Sequence, residues 1–117
     1  MDILIPEELS TSAVERLERN YRVVCDGALW KNHERLKAAV REARTLMVRN
    51  QTQVTADVLA AAPDLIAVGR LGVGLDNIDV AAASGLGIVV IAPLDANATR
   101  AHDGILRLLR EREAIVA

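Results

Sequence analysis

Short runs of consecutive apolar residues alternate along the chain with longer segments in which apolar residues recur every third or fourth position. The first run, Ile3-Leu4-Ile5, stops at Pro6 and reads as a strand buried on both faces. Ser10, Thr11 and Ser12 then offer helix caps, and Ala13, Val14 and Leu17 mark a helical face up to Asn20. Tyr21 to Cys25 is β-branched and aromatic, a second strand, and Asp26-Gly27 turns the chain. From about Asn32 to Ala43, Leu36, Ala39, Val40 and Ala43 line one side of an amphipathic helix. Thr45 to Arg49 is a third strand. Thr55 caps a helix through Val58, Leu59 and Ala62, and Pro63 stops it. Leu65 to Gly69 is a fourth strand. Asp79 caps a short helix over Val80 to Ser84, which Gly85 and Gly87 end. Ile88 to Ile91 is a fifth strand, closed by Pro93. Asn97 or Thr99 can cap a last helix over residues 97–113, with Ala101, Ile105, Leu108 and Leu109 inward.

Five strands that mostly do not alternate, each followed by a helical segment, predict an α/β fold with a parallel sheet covered on both faces. Right-handed crossovers leave few topologies, and an open doubly wound sheet of order 2-1-3-4-5 fits best. In such sheets ligands sit outside the carboxyl ends of the strands, so the loops after the third and fourth strands are the places to look.

Composition narrows the picture. The 117 residues make one domain, 51% hydrophobic, whose only aromatic residues are Trp30 and Tyr21. The core must come from Ala, Val, Leu and Ile. A net charge of −2 argues against a nucleic-acid partner. Arg100, Arg107, Arg110 and Arg112 interleave with Asp103, Glu111 and Glu113, as on a solvated helix face. No apolar run approaches the length of about 18 that a membrane span needs, and the N-terminus lacks a signal-peptide pattern. A single cysteine suits a reducing, cytoplasmic setting. Cys25 lies in an apolar run and is expected to be a small core residue, not a nucleophile.

The chemistry-bearing residues fall after the third and fourth strands. Arg49-Asn50-Gln51-Thr52 follows one, and Gly69-Arg70-Leu71-Gly72-Val73-Gly74-Leu75-Asp76-Asn77-Ile78-Asp79 follows the other. Glycines let backbone N–H groups converge on an anion, and Arg49 can add a bidentate contact to a carboxylate, phosphate or sulfonate. The alternative is a tight turn with a charged residue at its rim. Gly69-x-x-Gly72-x-Gly74 is not the G-x-G-x-x-G dinucleotide fingerprint, and no P-loop is present. His33 and His102 lie in separate segments, so no metal site is expected. No Ser/His/Asp or Cys/His arrangement is legible.

Val48 to Thr55, Leu59 to Pro63, Val68 to Asp79, Ala81-Ala82-Ala83 and Gly87 to Pro93 together resemble the N-terminal half of the D-isomer-specific 2-hydroxyacid dehydrogenases. The phosphoglycerate dehydrogenase branch is the most similar, and Asn50 with Arg70-Leu71 leans toward sulfolactate dehydrogenase-like members. The resemblance runs over residues 1–93. It implies a flavodoxin-like substrate domain in which the backbone of Leu71, Gly72, Val73 and Gly74 meets the substrate carboxylate. It also implies that Arg49 and Asn50 approach the substrate's distal end, and that Asp76 and Asn77 shape the loop.

In that family a separate domain carries NAD and the catalytic Arg, Glu and His, none of which this sequence contains. The chain alone is therefore expected to bind no cofactor, to bind a small anionic carboxylate weakly, and to be inactive. The segment 97–113 departs from the family's apolar interdomain helix. That departure favours an engineered stand-alone domain, monomer or weak dimer, over a natural truncation. One alternative is a subunit of a split oxidoreductase completed by a separate NAD-binding chain. Another is a flavodoxin-like binding module. A receiver-type module would need a phospho-acceptor Asp where Arg49-Asn50 stands.

Overall fold

The aliphatic runs do form strands: β1 (Ile3–Ile5), β2 (Val23–Cys25), β3 (Thr45–Val48), β4 (Ala67–Arg70) and β5 (Val89–Ile91). They are seen in a computed structural model that describes residues 1–9, 11–71 and 75–91. All neighbouring strands pair in parallel, in the order β2-β1-β3-β4-β5. This is the doubly wound, flavodoxin-like arrangement expected. The fourth strand is displaced toward Arg70, because Val48 of β3 pairs with Arg70 and draws it into the ladder.

Between the strands run α1 (Thr11–Glu18), α2 (His33–Val40), α3 (Ala56–Ala60) and α4 (Val80–Gly85). Side-chain caps start three of them. Asn32 accepts from the Arg35 amide, Thr55 from Val58 and Asp79 from Ala82, each satisfying a first-turn N–H that has no partner within the helix. Of these three, Thr55 and Asp79 were expected as caps and Asn32 was not. Gly87 follows α4 with φ +73°, a conformation that glycine adopts without Cβ strain. A 3-10 turn at Leu29–Lys31 was not expected. Tertiary contacts make it: the Trp30 amide donates to the Pro6 carbonyl at 3.1 Å, and Leu29 is buried.

Handedness decides which helix covers which face. From β1 to β2 the chain steps one way along the sheet, and from β2 to β5 it steps the other way. Right-handed crossovers then place α1 on one face and α2 to α4 on the opposite face. The two buried clusters follow this division. Leu4, Leu46, Val48 and Val68 pack with Leu36, Val40, Val58, Leu59 and Ala83 on the three-helix side. Ile3, Ile5 and Met47 pack with Leu17 of α1 on the other.

Full burial holds for β1, β3 and β4 but not for the outer strands. On β2, Val24 and Cys25 are exposed. The expected core role of Cys25 is thereby corrected. An edge strand has a neighbour on one side only, so an apolar run there does not guarantee burial. The expected cap Ser10, the closing Pro93 and the helix over 97–113 lie outside the described residues. The segment whose divergence pointed to an engineered origin is that same helix.

Candidate functional site

In an all-parallel sheet every strand delivers its carboxyl end to the same edge. Here that edge gathers Pro6-Glu7 after β1, Arg49 to Thr52 after β3, and Arg70-Leu71 at the end of β4. Glu7 is 1% exposed. Its carboxylate accepts from the backbone amides of Arg49 (2.8 Å), Gln51 (3.2 Å) and Thr52 (2.9 Å). A buried carboxylate is tolerated only when its oxygens are satisfied in this way. These three bonds bend the Arg49–Thr52 segment around one anion, as a backbone nest does.

Asn77 ties this loop to the next one. Its Nδ2 donates to the carbonyls of Arg49 (2.6 Å) and Thr52 (2.9 Å), and its Oδ1 accepts from Arg70 Nε (3.2 Å). The Asn77 carbonyl accepts from the Val54 amide, and the Val54 carbonyl accepts from Asp79. Val54 and Ile78 thus form a parallel bridge beyond the sheet. The expected loop-shaping part of Asn77 is what the geometry displays. Asp76 is exposed, and Asp79 caps α4.

Arg70 is 7% exposed, and its Nη1 donates to the Leu71 carbonyl at 2.7 Å. No carboxylate pairs with it among the described residues. Arg49 and Asn50 are exposed, and neither side chain makes a hydrogen bond or ion pair among the described residues. Of the glycine-loop residues named from the sequence, Leu71 is described and Gly72, Val73 and Gly74 lie outside the described residues. The Leu71 amide donates to the Val48 carbonyl at 2.9 Å, continuing the β3–β4 ladder. In this structure that N–H is therefore engaged by the sheet. The Thr52 hydroxyl is buried without a partner among the described residues.

The sequence reading missed Glu7 and gave Arg70 no role. The available signal was an acidic residue directly after a fully apolar strand and Pro6, at the edge where ligands bind. A small apolar cleft of about 120 Å³, lined by Leu59, Ala62, Pro63, Leu65, Leu86 and Ile88, opens at the opposite edge, beside the amino ends of β4 and β5. Its lining side chains are all apolar and none is charged, so the loops at the carboxyl edge remain the candidate site. Among the described residues no cluster of His, Cys, Asp and Glu has metal-site form, and no helix is long and apolar enough to cross a membrane.

Cys25 is exposed, yet its thiol is pushed above the ordinary range by partial burial and by Asp26, Glu18 and Glu8. These effects disfavour the thiolate, which is the nucleophilic form. Iodoacetamide should therefore modify the folded chain more slowly at neutral pH than it modifies the urea-unfolded chain, with the gap closing as pH rises. Faster reaction of the folded form would contradict this.

Residues 3–101 match the family model of the D-isomer specific 2-hydroxyacid dehydrogenase catalytic domain. An (S)-sulfolactate dehydrogenase from Chromohalobacter salexigens is 43% identical over 105 residues, covering 90% of this chain and 34% of that protein. A D-3-phosphoglycerate dehydrogenase from Mycobacterium tuberculosis is 44% identical over 108 residues, covering 92% of this chain and 20% of that protein. The chain therefore spans about a third of the length of the first of these relatives and a fifth of the second. Among solved structures, an NADPH-dependent glyoxylate/hydroxypyruvate reductase from Sinorhizobium meliloti in complex with citrate superimposes with a TM-score of 0.66 at 28% identity, over 80% of this chain and 28% of that one. With the fold, the loop motifs and the family match in agreement, the chain belongs to the D-isomer specific 2-hydroxyacid dehydrogenase family and corresponds to its catalytic, substrate-binding domain.

Proposed function

We propose that this domain is the substrate-binding half of an NAD-dependent D-2-hydroxyacid dehydrogenase, holding a small 2-hydroxy or 2-oxo acid that carries a second anionic group. The observation that carries the reading is the Asn77 junction, which locks the Arg49–Thr52 loop to the loop after β4 at the carboxyl edge of the sheet. The exposed Arg49 then stands ready for a distal phosphate or sulfonate. Its relatives' substrates, a phosphoglycerate and a sulfolactate, have that form. The amides of Leu71, Gly72, Val73 and Gly74 are the anchors that the family resemblance assigns to the ligand carboxylate, and of these the Leu71 N–H is already donated to Val48.

The family's nicotinamide cofactor supplies the hydride chemistry. The 117 residues contain no dinucleotide-binding glycine turn and do not fit that cofactor. Their own part is to bind and orient. A ligand held from one side makes few contacts, so affinity should be low. Titrating the isotopically labelled chain with 3-phosphoglycerate, sulfolactate and glyoxylate should move the amide resonances of Arg49, Asn50 and Gly72 to Gly74. NADH should move none, and NADH with a 2-oxo acid should show no oxidation. Silence with all three acids would overturn the binding reading. A response to NADH would overturn the division of labour.

A further inference from the structure

We propose that Glu7 is a positioning residue that sets how this site reads the distal anion of its ligand. The inference rests on the binding reading above and adds to it the group that prepares the Arg49–Asn50 loop. Three backbone amides of that loop converge on one point, which is the arrangement that captures phosphates and carboxylates in protein loops. Here the point is already filled from within. The Glu7 carboxylate, buried and supplied by the loop after β1, takes the amides of Arg49, Gln51 and Thr52.

Two consequences follow for recognition. First, those three amides are withdrawn from any ligand, so a distal phosphate or sulfonate is left to the Arg49 side chain and to the Asn50 amide, the one N–H of the loop that Glu7 does not take. Second, the backbone that carries Arg49 and Asn50 is pinned from both sides. Glu7 holds its amides, while Asn77 holds the Arg49 and Thr52 carbonyls. An exposed arginine on a mobile loop must be ordered at the moment of binding, whereas a pinned backbone lowers that cost. The family resemblance assigns the ligand's own carboxylate to the glycine loop after β4, and the three amides that Glu7 takes all belong to the loop after β3. Glu7 therefore governs selectivity between acids with and without a second anion.

The test compares two probes on the whole chain by amide NMR: 3-phosphoglycerate, and D-lactate, which keeps the carboxylate and hydroxyl but lacks the second anion. In Glu7→Gln the side chain can still accept on one oxygen, but its NH2 group faces a backbone donor in place of the second. The variant is expected to lose about tenfold in affinity for 3-phosphoglycerate and to keep that for lactate. Glu7→Asp retains the charge on a shorter stem and should fall between. If Glu7→Gln does not fold, Glu7→Asp carries the same comparison, with a selective loss for 3-phosphoglycerate still required. Unchanged 3-phosphoglycerate affinity in a folded variant would overturn the role of Glu7 alone. Equal losses for both probes would reduce Glu7 to general support of the fold. A wild-type chain that binds neither probe would overturn the binding reading, and the positioning role with it.

Discussion

Replacing Asn77 with alanine should destabilise the domain by about 3 kcal/mol, more than most single polar substitutions do. The side chain makes three hydrogen bonds in a buried setting, to Arg49, Thr52 and Arg70. Alanine cannot fill the space or replace the two donors. Two loop carbonyls and a buried guanidinium then lose a partner at once, and a buried unpaired group costs about 1–3 kcal/mol, more when it is charged. The losses are not additive, since water can enter and the loops can relax. The single tryptophan, Trp30, provides a fluorescence probe for urea unfolding. With a slope of about 1.5 kcal/mol/M for a domain this small, the midpoint should fall by roughly 2 M. Amide exchange at Val54, whose N–H donates to the Asn77 carbonyl, should accelerate in the variant. An unchanged midpoint would show that the two loops are held together by something other than this side chain.

Leu46→Ala should cost a similar amount, about 2–5 kcal/mol, for a different reason. Leu46 lies on β3, the middle strand of five, where it pairs with Leu4 on one side and Val68 on the other. It is fully buried in the larger cluster, against the helical layer of α2 to α4. Truncation removes apolar surface from the core and leaves a cavity that a paired central strand cannot collapse to fill. Val24→Ala is the matching control. Val24 sits on the edge strand β2 and is 43% exposed, so its loss should stay within about 0.5 kcal/mol. If the two variants unfold at the same denaturant concentration, the core assignment of Leu46 is wrong.

The legible features share a property: each is written in residues close together along the chain. The run Ile3-Leu4-Ile5 is a strand because three aliphatic residues in sequence suit a position covered on both faces. Thr55 and Asp79 cap helices because their oxygens reach amides three residues on. The illegible features join distant residues. Cys25 and Ile5 both stand in apolar strands, and they are paired neighbours. One is exposed because β2 is an edge, and the other is buried because β1 is not. The 3-10 turn at Leu29–Lys31 likewise depends on the Pro6 carbonyl, which approaches only after β1 and β2 pair.

The amino-acid sequence by itself determined the five strands, the helices between them and the family, and it pointed to the carboxyl edge as the place to look for a ligand. Local apolar patterning, turn chemistry and loop motifs encode all of these within a few residues. The tertiary structure alone decided what stands at that edge. Glu7 is separated by more than forty residues from the amides it accepts, and Asn77 by more than twenty from the carbonyls it holds. Their burial follows from β1 lying beside β3 and β3 beside β4, and nothing local to Glu7 or Asn77 specifies those neighbours. A polar side chain becomes part of a site when long-range pairing removes it from water and supplies its partners together.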